Sequence, residues 1–284
     1  MGTDEPVDLL MISWNRRAYL EKTLARLLND PSDFRLHWWD NGSTDGAADL
    51  MAETHDPRIV HKHHCPTNAM QGVPTQWFLE QAKSDVIGKI DDDTLIPPRW
   101  SEPIAAAVRA HDELGMVGCW TFWMDDYERN RAAADGRVVQ FGEHGVMQAA
   151  WIGGTAVLIR KELAKRYHNR ASSGREFAIN RIKMTVDGYI SGWYYPLIWA
   201  EHMDDPRSEH CLMTDAAGID GQAALTARAR GFTAPSQYLN WIKRDADQVL
   251  TRGVRQQVRR WRWQNSALKL FADRTRIKVL RGFS

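Results

Sequence analysis

Four short apolar runs in the first 90 residues constrain this chain more than any other feature. Val7–Ser13, Phe34–Trp39, Arg58–His63 and Val86–Ile90 have the length of strands, and helical segments separate them at Tyr19–Leu28, Ala47–Thr54 and Pro74–Ala82. In the first of these helices Leu20, Leu24, Leu27 and Leu28 recur at the spacing of one helix face. Strands alternating with helices at such intervals form βαβ units and a parallel sheet. Right-handed crossovers then bring every strand's C-terminal end to one edge, and ligands bind beyond that edge. Ser13-Trp14-Asn15, Asp40-Asn41, Asn68 and Asp91-Asp92-Asp93 are therefore predicted to converge on one crevice.

The acidic triplet carries the sharpest chemistry. Three adjacent carboxylates repel one another, and a shared cation relieves that repulsion. Alternation along an extended chain turns Asp91 and Asp93 to one side and Asp92 to the other. Two carboxylates at a strand end suit an oxygen-preferring divalent ion bound together with a phosphorylated ligand. The same run would also serve as a solvated turn ahead of the next helix. Asp40–Gly46, DNGSTDG, is dense in residues that accept turn geometry and cap helices.

Taken in order, these motifs resemble the nucleotide-sugar glycosyltransferases of the GT-A fold, and most closely glycosyltransferase family 2. SWNR follows strand one, DNGSTDG follows strand two, an Asn and a Gly precede the third helix, and Asp-x-Asp follows strand four. The similarity runs from Val7 to about Arg99 and resumes at Gly153–Arg160, GGTAVLIR. It is weaker at Gly192–Pro196, which leads through an apolar run into His202. The resemblance implies an α/β, Rossmann-like GT-A fold with a mostly parallel sheet flanked by helices. Residues 1–115 would form the nucleotide-sugar-binding half and 116–245 the acceptor-binding, catalytic half of the same domain. Residues 246–284 would form a basic, Trp-containing helical extension.

The implied activity is metal-dependent transfer of a sugar from a nucleoside diphosphate donor to a hydroxyl acceptor, a carbohydrate or glycolipid, with inversion. Mn²⁺ or Mg²⁺ would suit ligation by carboxylate and phosphate. By resemblance, Asp91 lies near the donor ribose and Asp93 binds the metal. His202 is expected as a further metal ligand, with His210 second. Ser13, Asn15, Asp40, Asn41 and Asn68 would line the donor pocket, with Gln76 a further candidate; Asp92 belongs to the same run but faces the fold. His61 and His63 share one face of their strand, yet no partner completes a metal shell around them or His64, so a solvated strand end is expected.

Attack by an acceptor hydroxyl requires a carboxylate base. The family usually offers a Glu-Asp pair between the Gly-Gly segment and the late strand, and this chain has none there. Asp187 is the only Asp in that interval and is the expected base, with Glu176 in reserve. The missing pair keeps open a non-catalytic sugar- or nucleic-acid-binding protein on a degenerate transferase fold. A nucleotidyltransferase would want a glycine-rich loop after strand one, which SWNRR lacks.

Charge separates the tail from the body. Thr251–Ser284 carries ten Lys/Arg and one Asp, whereas the first 250 residues are net negative. Arg252, Arg255, Arg259, Arg260 and Arg262 with Trp261 and Trp263 suit an anionic membrane surface and a lipid-linked acceptor. They also suit packing against the acidic body of the same or a partner chain. Nucleic-acid binding or modification ranks lower. Cys65, Cys119 and Cys211 lack metal spacing and suggest a reducing compartment. Neither a leader nor a membrane-length apolar run is evident. The expected location is cytoplasmic, with peripheral contact at the inner face of the membrane open.

Overall fold

A computed structural model describes residues 5–169, 177–221 and 224–264. Eleven strands are present among them: β1 (Val7–Ser13), β2 (Phe34–Asp40), β3 (Ile59–His64), β4 (Val86–Asp91), β5 (Thr94–Leu95), β6 (Leu114–Gly118), β7 (Val138–Phe141), β8 (His144–Gln148), β9 (Val157–Arg160), β10 (Ile190–Tyr195) and β11 (Glu201–His202). Nine of them form one sheet in the order β3-β2-β1-β4-β9-β6-β10-β8-β7. Strands β3, β2, β1 and β4 are parallel, as the βαβ pattern requires. Strand β9 runs against both β4 and β6, and β10 runs parallel to β6. The architecture is the expected α/β sheet flanked by helices, with helices again at its C-terminal end.

The central strands are apolar on both faces because both are covered. On one side Leu9, Met11, Leu36, Trp38 and Ile90 meet Leu20, Leu24 and Leu27 of helix Arg17–Leu28. On the other, Leu10, Ile12 and Ile87 join Phe78, Leu79 and Trp193. Most of the expected elements lie within a few residues of their predicted positions. The polar stretch Arg131–Gly145 holds a short helix, Arg131–Asp135, followed by the β7–β8 hairpin. A further short helix, Arg181–Val186, ends ahead of β10, which begins at Ile190.

The start of the basic tail packs on its own body. Helix Pro235–Thr251 buries Tyr238, Ile242, Ala246 and Leu250, one face at four-residue spacing. Asp247 accepts from Arg129 at 2.8 Å and Asn130 at 2.7 Å. In the following helix, Val254–Gln264, Gln257 accepts from the Ala150 N–H at 2.9 Å. Among the described residues no helix is long and apolar enough to cross a membrane.

Candidate active site

The turn after β4 is tied down from beneath. Thr23, on the first helix, donates to the Asp92 carbonyl at 3.0 Å and accepts from the Thr94 N–H at 3.0 Å. Strand β5 then pairs with β11 in an antiparallel register that sets His202 opposite Thr94. The Met203 N–H donates to the Asp93 carbonyl at 2.9 Å. This small two-stranded sheet brings a residue more than a hundred positions away to the acidic turn. His202 Nε2 lies 3.4 Å from an Asp93 carboxylate oxygen. One ligand atom each from Asp91, Asp93 and His202 fit within 4.8 Å of one another.

Asp91 is oriented by two neighbours. One oxygen accepts from the buried Lys89 ammonium of its own strand, the other from Thr155 Oγ1 of the Gly-Gly-Thr segment. Gly154 allows that segment to approach, since a Cβ there would lie 2.9 Å from Phe177.

Arg16 lies buried behind the turn. Its guanidinium lies 2.8 Å from Asp93, 3.4 Å from Asp204 and 3.6 Å from Asp92, and it covers the Tyr19 ring at 4.9 Å. Burial pushes the Asp93 carboxyl up, but Arg16 and then His202 outweigh it and hold the group below the usual range. For Asp204 burial prevails over Arg16, with Asp93 adding to the upward shift. Asp92 moves the same way for the same leading reason. Neither Asp93 carboxylate oxygen has a hydrogen-bond partner of acceptable geometry, although both are buried. Its charge is met by the Arg16 guanidinium at 2.8 Å and by His202 at 3.4 Å. The donor set, two carboxylates and an imidazole, suits Mn²⁺ or Mg²⁺ with oxygen ligands added from a substrate.

Above this turn opens a cleft of about 560 Å³, lined by Trp14, Arg16, Asn41, Asp91–Asp93, His202 and Arg228 among others. It lies at the C-terminal edge of β1, β2 and β4, where the crossover rule puts it.

A family model for glycosyl transferase family 2 matches residues 8–166, more than half of the chain. The chain belongs to glycosyl transferase family 2. Its fold is that of solved GT-A glycosyltransferases. A mannosyltransferase from Pyrobaculum calidifontis, solved in complex with GDP-Man and Mn²⁺, superposes with a TM-score of 0.54 at 18% identity over 96% of this chain and 79% of that one. TarS 1–349 of S. aureus gives 0.52 at 16% identity over 78% and 68%. A longer TarS structure gives the same values for this chain, which spans 41% of its length. No curated protein matches the sequence. The family 2 assignment makes the chain a glycosyltransferase.

Several expected site residues of this glycosyltransferase serve the loops rather than the cleft. Ser13 is wholly buried, donates to Asp40 at 3.0 Å and accepts from the Trp38 indole. Asp40 is equally buried. Its oxygens accept from Ser13, Ser43 Oγ and the N–H groups of Gly42 and Ser43, and one lies 2.9 Å from His64 Nδ1. Asn15, at φ 52°, turns its amide oxygen to the Thr44 N–H at 2.7 Å. These three stitch the loop after β1 to DNGSTDG and are not among the residues that line the cleft, their polar atoms being engaged by neighbouring side chains and loop N–H groups. Asn41 reaches the cleft, but its side chain accepts from Trp39 and Ala69 and donates to the Met70 carbonyl. Asn68 lines the cleft and caps the Met70 N–H. Gln76 pairs with Glu80 instead, and His210 stands beside Glu209.

Asp187 lies away from the cleft. Because β10 runs in the direction of β4, the residues just before it lie at the N-terminal edge of the sheet, opposite the cleft. There Asp187 accepts from Tyr167 at 2.7 Å and pairs with Lys183 at 2.8 Å. Glu176 lies outside the described residues. His61 and His63 are half-buried rather than solvated, stacked on His37 at 5.0 Å and Trp39 at 3.9 Å. Sequence reasoning missed Arg16, Lys89, Thr155 and Asp204. Arg16 was legible as a cation next to a strand end, but nothing local separated it from Arg17, which turns out to Glu21.

Proposed function

We propose that this glycosyltransferase takes a sugar from a nucleoside diphosphate donor held in the 560 Å³ cleft and passes it, with inversion, to a hydroxyl acceptor, a carbohydrate or glycolipid. The reaction would depend on a divalent cation, Mn²⁺ or Mg²⁺, held by Asp93 and His202, with Asp91 shared between cation and donor ribose. The observation that carries this reading is the meeting of those three ligand atoms at the strand edge. The solved complex of the Pyrobaculum mannosyltransferase with GDP-Man and Mn²⁺ supports the same class of donor and ion.

When bound, the cation would neutralise charge developing on the departing diphosphate. The chain's own residues prepare that step. Lys89 and Thr155 hold Asp91 in one orientation. Arg16 keeps Asp93 ionised and able to ligate. Arg228, exposed at the cleft wall, suits a phosphate oxygen. Trp14 offers a ring on the same wall for a flat or sugar-like ligand.

Thermal-shift titration with UDP-, GDP- and dTDP-sugars, with and without Mn²⁺, tests the reading. A donor should raise the melting temperature, more so with Mn²⁺, because ligands that bind only the folded state stabilise it by mass action. No shift with any donor, or a shift that Asp93→Asn leaves intact in its Mn²⁺ dependence, would refute it.

A further inference from the structure

A second cleft, of about 380 Å³, lies beside the first. The wall between them is helix Leu225–Ala229: Leu225, Thr226, Arg228 and Ala229 line the donor cleft, and the next residue, Arg230, lines the second. On its other side stands Trp151, four residues before the Thr155 that holds Asp91. The second cleft therefore adjoins the donor cleft along this helix.

Its lining is unlike a packing defect. Trp241, Arg244, Asp245 and Gln248 recur at positions i, i+3, i+4 and i+7 of helix Pro235–Thr251. That spacing marks one helix face, separate from the buried face of Tyr238, Ile242, Ala246 and Leu250. The stripe is polar and aromatic and faces the cleft. Arg260 closes the cleft from the last described helix, which Gln257 fixes to Ala150 next to Trp151. The two indoles are held in place. Arg181 lies over Trp151 at 5.4 Å, while Arg230 lies over Trp241 at 4.0 Å and Tyr238 stacks on that indole with centroids 5.7 Å apart. Three arginines face one Asp245 across this space. Arg230, Arg244 and Arg260 are exposed, and none of them makes an ion pair among the described residues.

We infer that the second cleft is the acceptor subsite, and that it takes a sugar bearing a negative charge, a carboxylate or a phosphate. The inference rests on the reading of the first cleft as the donor site. Guanidinium forks match planar carboxylate and phosphate oxygens with paired hydrogen bonds. A neutral glycan would offer Arg244 and Arg260 no countercharge. Nucleic acid and an anionic bilayer would engage the wider basic run of the tail, and both are arms of the test below.

Calorimetric titration separates these cases. The probes are tetragalacturonate, its methyl ester, maltotetraose and maltotetraose 6-phosphate, with a single-stranded oligonucleotide and vesicles of anionic phospholipid as further arms. At least one charged saccharide should bind ten times more tightly than its neutral counterpart, and the difference should shrink with salt. Arg244→Gln with Arg260→Gln, both at exposed positions, should weaken that probe about tenfold while GDP and UDP binding with Mn²⁺ stays unchanged. Equal affinity for charged and neutral saccharides, or charge preference untouched by the double substitution, would overturn the inference. So would tighter binding of the oligonucleotide or the vesicles than of any saccharide. Loss of nucleotide binding with retained charge preference would sink the donor reading and not this cleft's specificity.

Discussion

Removing Arg16 should destabilise the protein through the carboxylates it leaves behind. Asp92, Asp93 and Asp204 are all almost wholly buried, and all lie within 3.6 Å of this one guanidinium. At an effective dielectric constant of about 20, a pair at such distances is worth about 4 kcal/mol. The cost of losing the cation cannot grow as a simple sum, because an uncompensated carboxylate takes up a proton instead. At pH 7 that uptake costs about 1.4 kcal/mol for each unit that separates the pH from a pKa near 4, hence about 4 kcal/mol for Asp93, the one of the three held below the usual range. Breaking a buried pair by deleting one partner typically costs about 3–5 kcal/mol, and Arg16→Met, which preserves much of the bulk, should fall there. For a chain of this size that lowers the melting temperature by roughly 6–20 °C. Urea unfolding followed by tryptophan fluorescence in EDTA measures it directly, and the denaturant slope should not change. Mn²⁺ should return part of the loss, about 2.7 kcal/mol at a hundredfold excess over its dissociation constant. Arg16→Lys should lose less than Arg16→Met. A loss below about 1 kcal/mol in EDTA, or a Lys variant no better than Met, would refute the view that this charge holds the acidic turn together.

Three further outcomes follow from the same geometry. Thr155→Val removes one of the two donors that orient Asp91, so turnover should fall about 10- to 100-fold with little loss of stability, as for other groups that position a ligand. Asp187→Asn should leave turnover within about twofold, whereas Glu176→Gln should lower it by about 10²- to 10⁴-fold if the base lies there, measured as sugar transfer under saturating donor. Asp8 supplies a pH signature: burial pushes its carboxyl up, but His37, Arg35 and the Ser84 and Lys83 N–H groups outweigh it and hold it far below the usual range. A depressed carboxylate contributes stability above its unfolded pKa of about 3.9 and loses it as pH falls through the folded value. Asp8→Asn should therefore cost about 3 kcal/mol at pH 7, a gap that closes below about pH 4 in urea titrations.

The N-terminal half was readable because its contacts are local in kind. A buried parallel strand needs an apolar run and its helix needs a four-residue stripe, so Val7–Ser13 and Arg17–Leu28 declare themselves. The same rule put Asp91–Asp93 at the cleft edge. His202 was reached by resemblance, while the pairing of β5 with β11 that brings it to Asp93 has no local signature. Ser13, Asn15 and Asp40 turn to the loops for a related reason. A polar side chain at a strand end can face a ligand or satisfy neighbouring N–H groups. DNGSTDG offers so many backbone donors that Asp40 is consumed within its own loop and by its neighbours. The basic tail was legible as a cation source. Its docking depends on Gln257 and Asp247 meeting residues about a hundred positions away.

Asp187 shows where counting along the chain fails in such a fold. The interval between the Gly-Gly segment and the late strand is correct for a base by order, but order does not give the edge. Strand β9 leaves the Gly-Gly-Thr segment at the cleft and runs to the far side of the sheet, against β4. Helix Arg181–Val186 and Asp187 precede β10, which runs back toward the cleft, so any residue immediately before β10 starts at the wrong edge. A base must therefore come from a stretch that visits the cleft edge. Phe177, which packs on Gly154, belongs to such a stretch. So do the residues between Pro196 and the β11 pairing, where the Trp120 N–H donates to the Ile198 carbonyl at 2.8 Å. Within the last of these, Glu201 already accepts from Ser208 at 2.6 Å. Strand direction, set by the insertion of one antiparallel strand, thus carries Asp187, the only Asp of the interval, to the edge opposite the cleft.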